Sequence, residues 1–351
     1  MRVLVLGAGG AASNGYSRAL RMADPKIFQL GANANHNDIR LAETDATVVI
    51  PRAHSKLYLD RLNDVIEEHR IDFVHAQSDE EVAALSKKRS KVKAKVMLPS
   101  EKAIDRCQDK GRSAIVFQER GVPCPVSETL YSTSTARDTI ASYVERFGKA
   151  WIRLRYGAGG SGAICTDDPD FALAWIRHKA ADKDRINIYN WMVAEALPGD
   201  TVTVQQLWHD GTLISSQQRM RFSWANAKNA PTGVSGSTGV GMTSSHKEPD
   251  EVAMKAIRSV DFRAPNGLYG VDMVWDMVSE PKVTEINAGR FFTTNSEFFG
   301  SLAGNWQENM AYLYTCLAIK GYGVGPVKPL INALPDGKQW IRGMDVRPVL
   351  A

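Results

Sequence analysis

Asp272, Glu285 and Asn287 stand on two short apolar runs, GLYGVDMVWD and KVTEINAG, which read as adjacent strands. Alternate residues of a strand share a face, so Glu285 and Asn287 point together. A hairpin between the two runs sets Asp272 opposite them. Two carboxylates and an amide oxygen make an oxygen-only donor set, suited to a magnesium ion that bridges nucleotide phosphates. The bland alternative is a pair of unrelated acids on a solvated face. Val271, Val274, Val283 and Ile286 argue instead that the hairpin packs on a core. Arg290 follows closely and is placed to neutralise a transferring phosphoryl group.

Two glycine-rich turns are further candidates. GAGGSG, from Gly157 to Gly162, lies between two strands, where backbone N–H groups can approach phosphate oxygens. Arg153 and Arg155 precede it and could pair with those phosphates; the plain alternative is a flexible hairpin tip. GAGGAASNG, from Gly7 to Gly15, loosely matches a dinucleotide turn. That fingerprint also wants an acid at the end of the second strand, where the sequence reads GANAN. A nicotinamide oxidoreductase is therefore disfavoured, and the turn either approaches another ligand or simply joins strand to helix. There is no GxSxG, HExxH or Walker motif, and the histidines (36, 54, 69, 75, 178, 209, 246) are scattered and read as structural. Gln77, Ser78, Asp79 and Glu80 follow the fourth strand and either contact substrate or cap the next helix.

The elements that must position these residues follow from periodicity. MRVLVLG, IFQLGAN, ATVVIPR and IDFVHAQ are strands alternating with helices over 12–23 and 56–69, which indicates parallel βαβ units. KVMLPS reads as a boundary strand. A single helix is expected from Ser100 to Arg120, stopped by Gly121 and Pro123. Next come strand, glycine loop and strand over 149–164, a helix over 170–180, and the strand WMVAEALPG. TVTVQQLWHDGTLISSQQRMRF is a hairpin around Asp-Gly. NAPTGVSGSTGVG reads as a flexible loop, 248–260 and 305–320 as helices, and the tail from Val327 as extended chain.

With 351 residues the chain is long enough for two or three domains. No apolar run reaches the ~20 residues of a membrane span, and the N-terminus lacks a signal peptide. The four cysteines form no CxxC pair, so a cytoplasmic location is expected. A net charge of +4 is mild. Its one basic run, KKRSKVKAK, has no interleaved aromatics and reads as a solvated helix end, so no nucleic-acid partner is expected.

Taken in order, these segments resemble the ATP-grasp superfamily, and most nearly the synthetase modules of carbamoyl phosphate synthetase, from Arg2 to Leu317. AIDRCQDKGRSAIVFQERGVPCP resembles the entry helix, which implies a phosphate contact for Lys110. WIRLRYGAGGSG resembles the strand and lid, which implies the same for Arg153 and a lid of Gly159, Gly160, Ser161 and Gly162. MVAEALPG resembles the adenine hinge, with Glu195, Ala196 and Leu197 at the base. GVDMVWD and TEINAGR resemble the metal strands, which gives Asp272, Glu285 and Asn287 as ligands and Arg290 and Arg153 as catalytic. Two positions depart from the pattern. The ribose glutamate after the hinge glycine is replaced by Gly199-Asp200-Thr201, so that contact is missing or passes to Asp200. One extra residue also precedes Arg290.

The resemblance implies an α/β protein: a Rossmann-like parallel sheet (1–100), then a two-lobed α+β domain with an N-terminal lobe and lid (101–193), a C-terminal lobe with the metal site (194–325), and a tail (326–351). It also implies ATP with Mg2+, or Mn2+ in its place, small-molecule carboxylate and amine substrates, and an assembly for which a homodimer stays open. With one such module and no amidotransferase segment, a stand-alone carboxylate-amine ligase working through an acyl phosphate is expected. The rival is a nucleotide-binding regulatory protein of the same fold without turnover. The loop 230–241 and FFTTNSEFF are expected to line the acceptor pocket.

Overall fold

The structure, a computed structural model, describes residues 1–157, 160, 162–180, 187–225, 227–234, 236–343 and 349–350. The chain opens with β1 (Arg2–Leu6), α1 (Ala11–Ala23), β2 (Phe28–Asn33), β3 (Ala46–Val49), α2 (Tyr58–Glu68), β4 (Phe73–His75) and α3 (Asp79–Lys88). The four strands form a parallel sheet in the order β3-β2-β1-β4. Val3, Leu4, Val5 and Leu6 are fully buried, as expected of a parallel strand covered on both faces. Gly9 has φ +90, and a Cβ there would lie 1.7 Å from the Asp38 carbonyl oxygen, so only glycine makes this turn.

Next come α4 (Glu101–Gln108), α5 (Lys110–Glu119), β5 (Ser127–Thr129), α6 (Ala136–Phe147), β6 (Ala150–Leu154), β7 (Ile164–Thr166), α7 (Pro169–Ala180) and β8 (Trp191–Glu195). Their strands form an antiparallel sheet in the order β5-β8-β6-β7. The remainder is β9 (Asp200–His209), β10 (Thr212–Trp224), β11 (Thr238–Ser244), α8 (Lys247–Val260), β12 (Gly267–Trp275), β13 (Lys282–Ala288), α9 (Asn295–Leu302), α10 (Met310–Lys320), β14 (Leu330–Ile331), β15 (Gln339–Ile341) and β16 (Val349–Leu350). These strands build the large sheet β13-β12-β9-β10-β11-β15-β16, with β14 beside β10.

Several elements depart from the pattern reading. The helix expected over 100–120 is two helices, because Asp109 is extended (φ −106, ψ 101) and caps α5 by accepting from the Gly111 and Arg112 N–H groups. KVMLPS forms no strand, only a bridge from Lys95 to Phe73. The loop read over 229–241 ends in β11, and the tail contributes β14, β15 and β16 to the sheet. The basic run closes α3, and Arg89 within it donates to the Leu98 and Pro99 carbonyls.

The parallel sheet is sealed by α1 and α10. Tyr16 stacks on His75 with ring centroids 3.9 Å apart, and its hydroxyl meets Thr315 Oγ1 at 2.6 Å. Burial pushes the His75 imidazole down to about 4 against the opposing bond from Gln77, so it is a neutral core residue. Among the described residues no helix is long and apolar enough to cross a membrane.

Candidate active site

The large sheet presents one face to a cleft of about 450 Å³, and the β5-β8-β6-β7 sheet covers it. Cross-strand register builds that face in rows. Asp272 lies directly opposite Glu285, and the same row continues through Thr203 on β9 to Arg219 on β10. The next row toward the hinge runs through Val274, Thr201 and Arg221. A register shift after Asp272 marks a bulge in the β12–β13 pair.

Glu285 is the electrostatic centre. Lys110 Nζ lies 3.3 Å from its Oε2, and Arg153 and Arg290 are near. Burial alone would raise its carboxyl, but these three cations outweigh burial and hold it well below the usual range. Asp272 moves the other way: burial raises it and the neighbouring Glu285 charge adds to that, against Arg221. Arg221 Nη1 donates to Asp272 Oδ1 at 2.8 Å, and Asn287 Nδ2 donates to Oδ2 at 3.2 Å. The Asn287 amide oxygen accepts from Arg290 Nη2. The donors facing the cleft are thus oxygens of two carboxylates and one amide, a set matched to a hard cation that keeps several waters. Among the described residues no group of three or more His, Cys, Asp or Glu side chains could hold a metal.

Lys110 begins α5, and its ammonium also donates to the Gly157 carbonyl at 2.7 Å. Its position is fixed by a latch absent from the pattern reading. Buried Asp109 accepts from Arg155 at 2.6 and 3.0 Å and from the Tyr156 hydroxyl at 2.8 Å. Arg155 is therefore committed to Asp109 and not free for phosphates, a correction to its expected role. Arg153 is half-buried on β6 and donates to the Thr284 carbonyl at 2.9 Å. Gly160 lines the cleft, and the Gly162 carbonyl accepts from Trp175 at 2.8 Å. Gly159 and Ser161 fall outside the described residues.

At the hinge, Ala194, Glu195 and Leu197 line the cleft with Trp151 and Leu154, but Ala196 does not. The Glu195 carboxylate accepts from Lys282 Nζ at 2.5 Å and from the Val126 N–H at 3.2 Å. Asp200 is exposed and outside the lining, whereas Thr201 is within it. Strand alternation explains this: Asp200 opens β9 pointing away, and the next residue faces in.

Another wall of the cleft comprises Arg221, Trp224, Val234, Gly236, Ser237 and Thr293. It therefore draws on both segments expected at the acceptor end. Arg290 bonds Asp79 through Nε at 2.6 Å, and Gln77 donates to the Phe291 carbonyl at 2.7 Å. Ser78 caps α3 in a reciprocal box with Glu81, the capping alternative of the two expected for this segment; none of residues 77–80 lines the cleft, and Asp79 meets it through Arg290. The two buried arginines of β10 were not singled out from the sequence. Their signal is RMR spacing on a hairpin beside the carboxylate strands.

A family model for the ATP-grasp domain matches residues 107–294. No relative among curated proteins matches the sequence. Among solved structures, the L-amino acid ligase from Bacillus licheniformis is similar with a TM-score of 0.65 at 11% identity, over 97% of this chain and 78% of that one. The biotin carboxylase domain dimer of Hydrogenobacter thermophilus 2-oxoglutarate carboxylase, with MgADP, ADP and bicarbonate, scores 0.69 at 14% identity, over 97% and 73%. The carboxyaminoimidazole ribonucleotide synthase from Aspergillus clavatus, complexed with ATP, scores 0.66 at 16% identity, over 97% and 81%. At these identities the likeness is one of fold.

Proposed function

The chain belongs to the ATP-grasp domain family, and from that premise we propose that it is an ATP-dependent ligase that activates a small-molecule carboxylate and couples it to an amine. The observation that carries the reading is the row of Asp272 and Glu285 with Asn287, lining one cleft together with Lys110, Arg153 and Arg290. An L-amino acid ligase of the same fold lends it support.

In this reading the base of ATP lies among Trp151, Leu154, Ala194 and Leu197, and Lys110 and Arg153 neutralise phosphate oxygens. Asp272, Glu285 and Asn287 would hold Mg2+, which supplies charge neutralisation on those oxygens when bound; Mn2+ is the alternative ion to test. A carboxylate oxygen attacks the γ-phosphorus, the bond to the bridging oxygen breaks, and ADP leaves. The amine nitrogen then attacks the acyl carbon, the C–O bond to phosphate breaks, and the nitrogen loses a proton. Arg290 faces the charge on the transferring group. No covalent enzyme intermediate is needed; the chain supplies position and charge.

The test is ADP release in the presence of Mg2+, screened over carboxylate and amine pairs. ADP formed only when acid, amine and metal are all present is the expected outcome. Tight ATP binding with no ADP from any pair would replace the ligase with a nucleotide-binding protein of the same fold.

A further inference from the structure

The β10 wall of the cleft carries more positive charge than its own side chains balance. Arg219 and Arg221 are two residues apart on β10 and so share the face that looks toward the carboxylate row. Both are buried, at 1% and 6% exposure. Arg219 donates to the Thr294 hydroxyl, and its Nε is buried without a partner among the described residues. Arg221 lines the cleft, stands 3.5 Å from the Trp224 ring centroid and donates to Asp272, and its Nε too is buried and unpartnered. Gly241 opposes Arg221 on β11. A Cβ there would meet the Arg219 side chain at 2.9 Å, so glycine leaves room for the arginine stems.

A buried guanidinium is costly unless an anion faces it, and an unpaired donor adds to the cost. Of the other cations of the cleft, Lys110 pairs with Glu285 and Arg290 with Asp79, while Arg153 donates to the Thr284 carbonyl and feels the Glu285 charge. Asp272 is the one carboxylate that acts on both Arg219 and Arg221, with Glu285 a lesser influence on Arg221 alone. Asp272 is also one of the carboxylates assigned to the metal. A carboxylate turned to a divalent cation no longer offsets two arginines, and the acceptor wall then holds two positive charges in a poorly hydrated place.

We propose that the acid activated here carries a second anionic group, a carboxylate or a phosphate, besides the carboxylate that reacts, and that Arg221, backed by Arg219, receives it. Arg221 is the contact; Arg219 is a positioning residue that supplies charge from behind. This inference rests on the ligase reading, whose metal and acceptor assignments it uses. It narrows the substrate to dianionic small acids and makes the RMR of β10 the selector.

The experiment measures binding by calorimetry to the full chain held with Mg2+ and a non-hydrolysable ATP analogue. The probes are succinate, glutarate and 3-phosphoglycerate, each set against a partner of similar size with less charge: succinamate, glutaramate and glycerate. At least one dianion should bind about tenfold or more tightly than its partner, since each charge-assisted bond is worth roughly that factor. Arg221→Gln should abolish the preference, read as the ratio of affinities within each pair so that any general loss from unpairing Asp272 cancels. Arg221→Lys should keep part of the preference. Equal or undetectable binding of both members in every pair, with the analogue bound, overturns the inference and leaves the nucleotide site standing. A preference that survives in Arg221→Gln also overturns it. Failure to bind the analogue at all sinks the ligase reading, and this proposal with it.

Discussion

Glu285 is held ionised by three cations, Lys110 at 3.3 Å with Arg153 and Arg290 nearby, and it shares a cross-strand row with Asp272, whose carboxyl burial pushes up. Glu285→Gln keeps shape and removes the charge. The side chain is 29% exposed at the cleft, so the fold should persist. Metal-dependent ADP formation should fall by about a hundredfold or more, with cooperative unfolding retained. Turnover at the wild-type level would refute the metal assignment. At this scale the carboxylates were legible, because alternation on two strands is a local property and apolar neighbours mark a packed hairpin. Arg219 and Arg221 were not. Arginines at alternate strand positions ordinarily mark the solvated face, and these are buried only because a second sheet and the segment after β13 close over them, which no local pattern encodes.

The element that sets the geometry of the proposed phosphate end is the start of α5. Its cap, Asp109, is tied to Arg155 and Tyr156 at the end of β6, so the helix bearing Lys110 and the strand bearing Arg153 are locked together. Asp109→Ala removes the cap and leaves Arg155 without its carboxylate. The chain should lose about 1–2 kcal/mol of stability, read by denaturant unfolding, and the affinity for a magnesium-nucleotide analogue should weaken because Lys110 loses its fixed start. Asp109→Asn retains a capping oxygen and should recover most of the stability but not all of the affinity. If both variants bind the analogue as wild type does, the latch plays no part in the site. The break was hidden in the sequence because apolar periodicity runs through it, and the partners that make Asp109 a cap lie 46 and 47 residues away. The β9–β10 hairpin was plain for the opposite reason: Asp210 and Gly211 are adjacent and take φ of +44 and +85, as the dipeptide predicts.

Across the whole molecule, the parallel sheet does not merely sit beside the cleft. Its α3 start supplies Asp79 to Arg290 and Gln77 to the Phe291 backbone, while Gln205 on β9 accepts from the Phe292 N–H on the other side. The segment that carries Arg290 and leads into the acceptor wall is therefore clamped between the first sheet and the largest one. A clamp of this kind holds Arg290, the arginine proposed to face the transferring group, at one position and would lower the ordering cost of each turnover. Asp79 is 38% exposed, so Asp79→Ala costs little stability, but it frees Arg290 to rest on Asn287 alone. With an acid and amine pair that supports ADP release, the variant should lose about tenfold or more in kcat/KM for the acid. The nucleotide analogue's affinity should stay unchanged, because Lys110 and Arg153 do not touch the clamp. The melting temperature should move by no more than a few degrees. An equal loss for nucleotide and acid would place Arg290 at the nucleotide phosphates throughout. Unaltered kinetics would mean that Asn287 and the backbone bonds suffice, and that the first sheet carries the clamp without using it.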